Sequence, residues 1–467
     1  MVTRIEHDML GEMQIPSDVW YGVQTLRAKE NFSITGVPIS HFPHLIKALA
    51  MVKWSAAQTN KELKLLEEHK ADAIMAACRD IIDGALHQQF VVDLIQGGAG
   101  TSTNMNANEV IANLALSKLG KEKGDYQHLH PNDDVNCSQS TNDAYPTAVC
   151  LGIQFAAEPL TEHLESLIQA FNNKGQEFND VVKMGRTQLQ DAVPMTLGQE
   201  FEAFAVTLSE DIDRIKEACK LLCEVNLGGT AIGTGINTHP EYASRVVKRL
   251  AEISGKPMIP ASHLVEATSD LGAFVLFSGI LKRMAVKLGK ICNDLRLLSS
   301  GPRTGFAEIH LPPMQPGSSI MPGKVNPVIP EAVNQTAYQV IANDLAVTLA
   351  AESGQLQLNA MEPLIVYNLL SSMKMLCNAC EMLEERCVSG IKANREQCSR
   401  HLDNSIGVIT ALVPHIGYAN ASRIAKTALN TGSTVRELVI GEGLLDSIQL
   451  DRLLSPESML APGERVS

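Results

Sequence analysis

Phe274, Phe277, Leu281, Met284, Leu288, Ile291, Leu295 and Leu298 recur at alternating steps of three and four residues, the spacing of one apolar stripe along an α-helix. The same rhythm runs through Ile153, Ala156, Leu160, Leu164, Leu167 and Phe171, and through Phe201, Phe204, Leu208, Ile212, Ile215, Cys219 and Leu222. It returns at Leu369, Met373, Leu376, Cys380, Leu383 and Cys387. The pattern predicts at least four long helices that bury their seams against one another at crossing angles of about 20°. Seams left uncovered would drive self-association. Three regions follow: 1–140 with shorter helical patterns and polar loops, 141–395 with the long helices, and a short-segmented helical region over 396–467. No low-complexity run or short-period repeat points to a solenoid.

Composition narrows this picture. A chain of 467 residues exceeds one ordinary core, and 45% hydrophobic against 19% charged residues is a globular balance. Aromatics are only 4%, so Leu, Ile, Val, Met and Ala fill the interior, which favours packed helices over β-sandwiches. A net charge of −13 argues against broad attraction to nucleic acid or anionic membrane. Any cations that meet an anionic substrate must therefore be local. The N-terminal MVTRIEHDMLGEMQ lacks the apolar stretch of a signal peptide and no later segment reads as a membrane span, so a cytoplasmic protein is expected. Ten cysteines form no disulfide framework, and the Cys377–Cys380 CxxC falls on a helical stripe, which predicts buried structural thiols.

Three polar loops carry candidate chemistry. The first, GGAGTSTNMNANE at 97–109, lacks the Gly-Lys-Ser/Thr ending of a phosphate loop and the third glycine of a dinucleotide fingerprint, and GTGIN at 233–237 fails the same test. The second, HPNDDVNCSQSTND at 130–143, reads as a turn-rich loop in which Ser140 and Thr141 offer adjacent hydroxyl donors for a carboxylate. The third, QPGSSIMPGKVNPVIP at 315–330, holds Pro316, Pro322, Pro327 and Pro330, which forbid a continuous helix, with Gly317 and Gly323 bracketing the Ser-Ser pair. Ser318, Ser319, Lys324 and Asn326 give this loop hydroxyls, one cation and one amide, a set suited to a small anion. A long irregular segment between strong helices is uncommon unless it serves as a lid or binding loop, and the alternative here is a proline-rich connector.

GSSIMPGKVNP resembles the hallmark loop of the aspartase and fumarase superfamily. GTSTNMNANE, SQSTND and GRTQLQDAVPMTLGQE at 185–200 follow in the family's order, and the resemblance runs from about Arg4 to beyond residue 440. Within the superfamily, GGAGTS, QSTNDAYPT and MGRTQLQDA look like aspartase wording, whereas class II fumarases typically read SSND and GRTHLQ. Thr141 and Gln188 therefore favour the aspartase branch. Gln188 cannot relay a proton as an imidazolium would, so a His–carboxylate acid pair with Glu331 is not available.

The resemblance implies an all-α, three-domain fold whose long central helices assemble into a homotetramer with a core of roughly twenty helices and composite active sites. It implies elimination of ammonia from L-aspartate to give fumarate through an aci-carboxylate intermediate. No organic cofactor is required, and activation by a divalent cation such as Mg2+ is compatible with it. By carry-over, Thr101, Ser140, Thr141 and Ser319 contact the carboxylate that receives the charge, where one donor is worth about 3–4 kcal/mol of barrier. Thr187, Lys324 and Asn326 hold the other carboxylate, Gln188 stands beside them, and Ser318 is the base. Gly317 and Gly323 are hinge candidates for loop closure. Asp134 stands where many relatives carry histidine, so His130 is expected to be structural rather than catalytic, without a secondary anion site. The rivals are a class II fumarase acting on L-malate, an argininosuccinate- or adenylosuccinate-type lyase, and a catalytically silent homologue.

Overall fold

The computed structural model describes residues 2–455 and 458–459. The chain is mostly helical, and five helices are long: Thr141–Glu177, Leu197–Leu221, Gly272–Leu298, Val328–Glu352 and Glu362–Arg386. Four of them carry the seams read above, and Leu160, Leu208, Leu288 and Leu383 are each fully buried. The fifth, Val328–Glu352, was not singled out by its pattern, because it exposes one apolar stripe instead of burying every large residue. Tyr338, Leu345 and Leu349 are about three-fifths exposed at 60%, 61% and 59%.

Two compact units take their described residues from interleaved stretches of chain. The first draws on Met1–Glu162, Asp211–Ala285 and Ala337–Cys377. In it the Pro43–Glu62 helix packs against Glu68–Ile82 and Tyr242–Ser254, and Glu68–Ile82 packs against Thr101–Lys118. Its long-helix segments are joined by polar contacts: Ser278 Oγ donates to Asp344 Oδ1 at 2.8 Å and Asn343 Nδ2 to Ser372 Oγ at 2.9 Å. An antiparallel hairpin, Thr3–Asp8 with Gly11–Pro16, precedes these helices.

The second unit draws on His163–Glu210, Val286–Thr336 and Asn378–Ser467. Phe171, Phe201 and Phe204 form a ring cluster with centroids 5.7–6.1 Å apart. The antiparallel hairpin Val182–Thr187 with Gln190–Thr196 sends Met184 into a second core made by Val408, Leu412, Ile424, Val439 and Leu450. This hairpin and three other two-stranded ribbons are the β-structure that the helical periodicity did not foresee. Short ribbons bury few side chains and leave no long period to detect.

All ten cysteines are free. Cys380 and Cys387 are buried as expected, while Cys377 is only half-buried. No helix among the described residues is long and apolar enough to cross a membrane.

Candidate functional site

In the first unit two helix N-termini meet. Gly98, Ala99 and Gly100 adopt φ of +89°, +53° and +88°, and this left-handed turn delivers the chain into the Thr101–Lys118 helix. A Cβ on Gly100 would lie 2.4 Å from the Tyr145 ring, so only glycine allows the approach. Gly100 at the N-cap has no side chain to cap this helix, and Gln96 Oε1 takes that part, accepting from the Thr103 N–H at 3.0 Å. Thr101, exposed on the first turn, donates its hydroxyl to Gly98 O at 2.8 Å.

The second N-terminus is built on a buried carboxylate. Asp143 Oδ1 accepts from the Ser140 N–H at 2.9 Å, and its Oδ2 accepts from Gly228 N at 3.0 Å and Thr230 N at 2.9 Å. Burial pushes the Asp143 carboxyl up despite these amide bonds. Asp143 thereby ties the start of the Thr141–Glu177 helix to the glycine-rich 228–230 turn, just before the GTGIN segment that matched no nucleotide motif. Ser140 Oγ accepts from Asn142 N at 3.2 Å. Thr141 Oγ1 accepts from Asn104 Nδ2 at 3.2 Å, which brings the two helix starts together.

In the second unit, Thr187 and Gln190 close the hairpin around Gln188 and Leu189. Both turn residues have positive φ, 54° and 62°, the pairing of a two-residue turn that normally prefers Asn-Gly. Thr187 and Gln188 are exposed at its tip. Behind the tip, fully buried Glu308 gathers three cationic or titratable groups: Lys183 Nζ at 2.9 Å, Arg186 Nη1 at 2.7 Å and His401 Nδ1 at 3.0 Å. Burial alone would raise the Glu308 carboxyl, but Lys183, with His401 and Arg186, holds it below the usual range. The Arg186 guanidinium also stacks over Phe306, 4.3 Å from the ring centroid.

The 315–327 segment of the same unit is irregular, and the Val328–Glu352 helix starts after it with Pro330 tolerated in its first turn. Ser318 Oγ accepts two backbone N–H bonds, from Ile320 at 3.2 Å and Met321 at 2.9 Å. Gly317 N donates to Lys324 O at 2.7 Å, and Asn326 Nδ2 donates to Gly317 O at 2.9 Å. A Cβ on Gly317 would meet Lys324 O at 2.6 Å and Asn326 N at 2.9 Å. Gly317 is thus required by close approach, while Gly323 is the one at positive φ, +81°. Ser319 and Lys324 are exposed.

Thr101, Ser140 and Thr141 accordingly lie in the first unit, and Thr187, Gln188, Ser318, Ser319, Lys324 and Asn326 in the second. One of the sequence readings needs correction. The 97–109 stretch is a loop only to Gly100; from Thr101 it is helix. Its asparagines spend their amides on distant groups, as when Asn106 Oδ1 accepts from Val91 N at 2.9 Å and its Nδ2 donates to Gln89 O at 3.0 Å, which removes their usual competition with helix. The 130–143 stretch is turn-rich as its composition implies, with a π-helical turn over Pro131–Val135 and regular helix only from Thr141. There His130 Nδ1 accepts from Asn132 N and Asp133 N, both at 3.2 Å, so the ring caps a turn. Asp134 pairs with Lys70 at 3.0 Å.

Sequence reasoning missed Asp143 and Glu308, both invisible without their tertiary partners; the aspartate in SQSTND was the only available signal. Among the described residues, no three His, Cys, Asp or Glu side chains come together to hold a metal ion.

A family profile described as "Lyase" matches residues 11–342, and one described as "Fumarase C C-terminus" matches 408–461. The chain is 64% identical over 461 residues to an aspartate ammonia-lyase of Pseudomonas aeruginosa, covering 98% of this chain and 97% of the relative. Among solved structures, a fumarate lyase:delta crystallin from Brucella melitensis bound to cobalt superimposes with a TM-score of 0.96 at 62% identity, covering 99% of this chain and 100% of that one. A class II fumarase from Schistosoma mansoni gives 0.93 at 34% identity, over 99% and 100%.

Proposed function

The chain belongs to the lyase family that includes the aspartate ammonia-lyases and class II fumarases, and within it we propose that it eliminates ammonia from L-aspartate to give fumarate. It is a carbon–nitrogen lyase. The observation that carries this reading is identity of 64% to an aspartate ammonia-lyase along nearly the whole chain, against 34% to a class II fumarase. Gln188 supports the same choice, since an amide cannot supply the proton that a departing hydroxyl needs.

In this reading Ser318 removes a proton from the carbon beside the β-carboxylate. The C–H electron pair moves into that carboxylate as an aci-carboxylate, then returns to form the double bond as the C–N bond breaks and the amine leaves. A free serine hydroxyl is far too weak an acid to ionise at neutral pH. The two N–H groups aimed at Ser318 Oγ supply part of the stabilisation an alkoxide needs. Thr101, Ser140, Thr141 and Ser319 receive the charge that develops on the β-carboxylate, helped by the positive ends of two helices. Thr187, Lys324 and Asn326 hold the α-carboxylate, with Gln188 beside it, and Gly317 and Gly323 are the points about which the loop closes.

These groups belong to different units of the chain, and the reading joins them through self-association into a homotetramer with composite sites. The exposed Tyr338, Ile341, Leu345 and Leu349 stripe supports it. A cytoplasmic setting belongs to the same reading. No organic cofactor is needed; a divalent cation such as Mg2+ enters only as an activator, and turnover should survive EDTA. The test is fumarate formation followed by ultraviolet absorbance with L-aspartate and L-malate offered separately. Turnover of aspartate alone is expected; turnover of malate alone would make the protein a fumarase.

A further inference from the structure

Lys53 is fully buried on the Pro43–Glu62 helix, and among the described residues no carboxylate forms an ion pair with it. Its ammonium meets three amide oxygens instead: Asn104 Oδ1 at 2.6 Å, Asn136 Oδ1 at 3.0 Å and Gln139 Oε1 at 2.9 Å. An ammonium has three N–H donors and no acceptor, so each amide must turn its oxygen to Lys53 and its NH2 away. For Asn104 that direction leads to Thr141: Nδ2 donates to Thr141 Oγ1 at 3.2 Å and to Asn136 Oδ1 at 3.1 Å. Asn108 Nδ2 adds a bond to Asn136 Oδ1 at 3.1 Å and Asn136 Nδ2 donates to Gln139 O at 3.1 Å, while Gln139 Nε2 donates to Val135 O at 3.0 Å and Cys137 O at 3.2 Å, which locks the remaining amides. Thr141 Oγ1, as acceptor, keeps its own hydrogen to donate outward.

We propose that Lys53 is a positioning residue that sets hydrogen-bond polarity from Lys53 through Asn104 to Thr141, so that the Thr141 hydroxyl is held as a donor toward the substrate carboxylate. The inference rests on the ammonia-lyase reading above. A polarised chain acts without reorganising during the reaction, which is what charge stabilisation requires. The relay needs the charged form of Lys53, since a neutral amine has two N–H donors for three oxygens. Burial lowers the ammonium to about 7, only partly offset by Asp143 on the neighbouring helix and, to a smaller degree, by Cys78. Alkaline pH therefore weakens the relay.

The test is a double-mutant cycle of Lys53→Met and Thr141→Val, read as kcat/KM for L-aspartate and as affinity for succinate, a dicarboxylate without the amine. Each single change is expected to cost about 10- to 100-fold, and the double should be no more than about threefold worse than the poorer single, because both cut one chain. Multiplying effects would overturn the relay. Should Lys53→Met not fold, Asn104→Asp reads the same link: it gives Lys53 a carboxylate partner, yet makes position 104 an acceptor that turns the Thr141 hydrogen inward. A stably folded Asn104→Asp variant with parental activity overturns the proposal, and loss of activity with unchanged melting supports it. Failure of the parent on L-aspartate would instead sink the lyase reading itself.

Discussion

The Met321 backbone N–H donates to Ser318 Oγ at 2.9 Å, within a turn that also aims the Ile320 N–H at the same oxygen. A hydroxyl oxygen held by two donors is prepared for negative charge before any substrate arrives. Replacing Ser318 with alanine should leave assembly and melting temperature unchanged and lower kcat by up to about 10⁴-fold, the upper range for a general base. Residual activity within tenfold of the parent in that variant would exclude Ser318 as the base.

Gly317 has no room for a methyl group, with Lys324 O only 2.6 Å from where a Cβ would stand. Gly317→Ala should push apart the Gly317–Lys324 backbone bond and misplace Ser318 together with Lys324. We expect kcat/KM to fall at least tenfold while global stability changes by less than about 1 kcal/mol, since the segment is exposed. Unchanged kinetics would mean that this contact does not set the loop.

Glu308 is the shared anion for Lys183, Arg186 and His401, and Arg186 immediately precedes Thr187. Glu308→Ala takes the carboxylate from Arg186 and His401 while Lys183 keeps Glu200 at 2.6 Å, and should cost about 1.5–3 kcal/mol, read from urea denaturation. The Glu308 carboxyl is held below its usual value of 4.5 when folded. Its contribution is therefore present above that value and is lost as pH falls through the folded pKa. The parent should lose stability in acid more steeply than the variant; parallel profiles would contradict the assignment.

Glu362 shows the opposite sign. It is 4% exposed, and burial, with no compensating donor among the described residues, pushes its carboxyl from 4.5 up to about 8. A raised folded pKa leaves stability complete below about 4.5 and erodes it as pH climbs to about 8. Glu362→Gln removes the ionisation and should raise the melting temperature at pH 9 while changing little at pH 5. An equal effect at both pH values would show that the carboxyl ionises freely.

The exposed stripe of Tyr338, Ile341, Leu345 and Leu349 predicts that Leu345→Lys weakens self-association. Light scattering should report smaller species with unchanged helix content, and activity should fall with assembly. A tetramer that persists in this variant would put the interface elsewhere.

The sequence by itself determined the helical class, because a three-four seam records burial on one side of a helix whatever its partner. It also marked the 315–330 segment, where four prolines rule out continuous helix, and the family wording of its serines. What only the tertiary structure decided is polarity and support. Asn104 and Asn106 look like loop residues locally, yet they sit in a helix because Lys53 and the 89–91 backbone take up their amides. Gly317 was noticed for its freedom, but the reason it must be glycine is a backbone atom several residues away. Glu308 and Lys53 have no periodic or local signature, and Asp143 has only its place in SQSTND, since the cost of burying a charge is offset mainly by partners far along the chain, and those partners are defined only once the chain has folded.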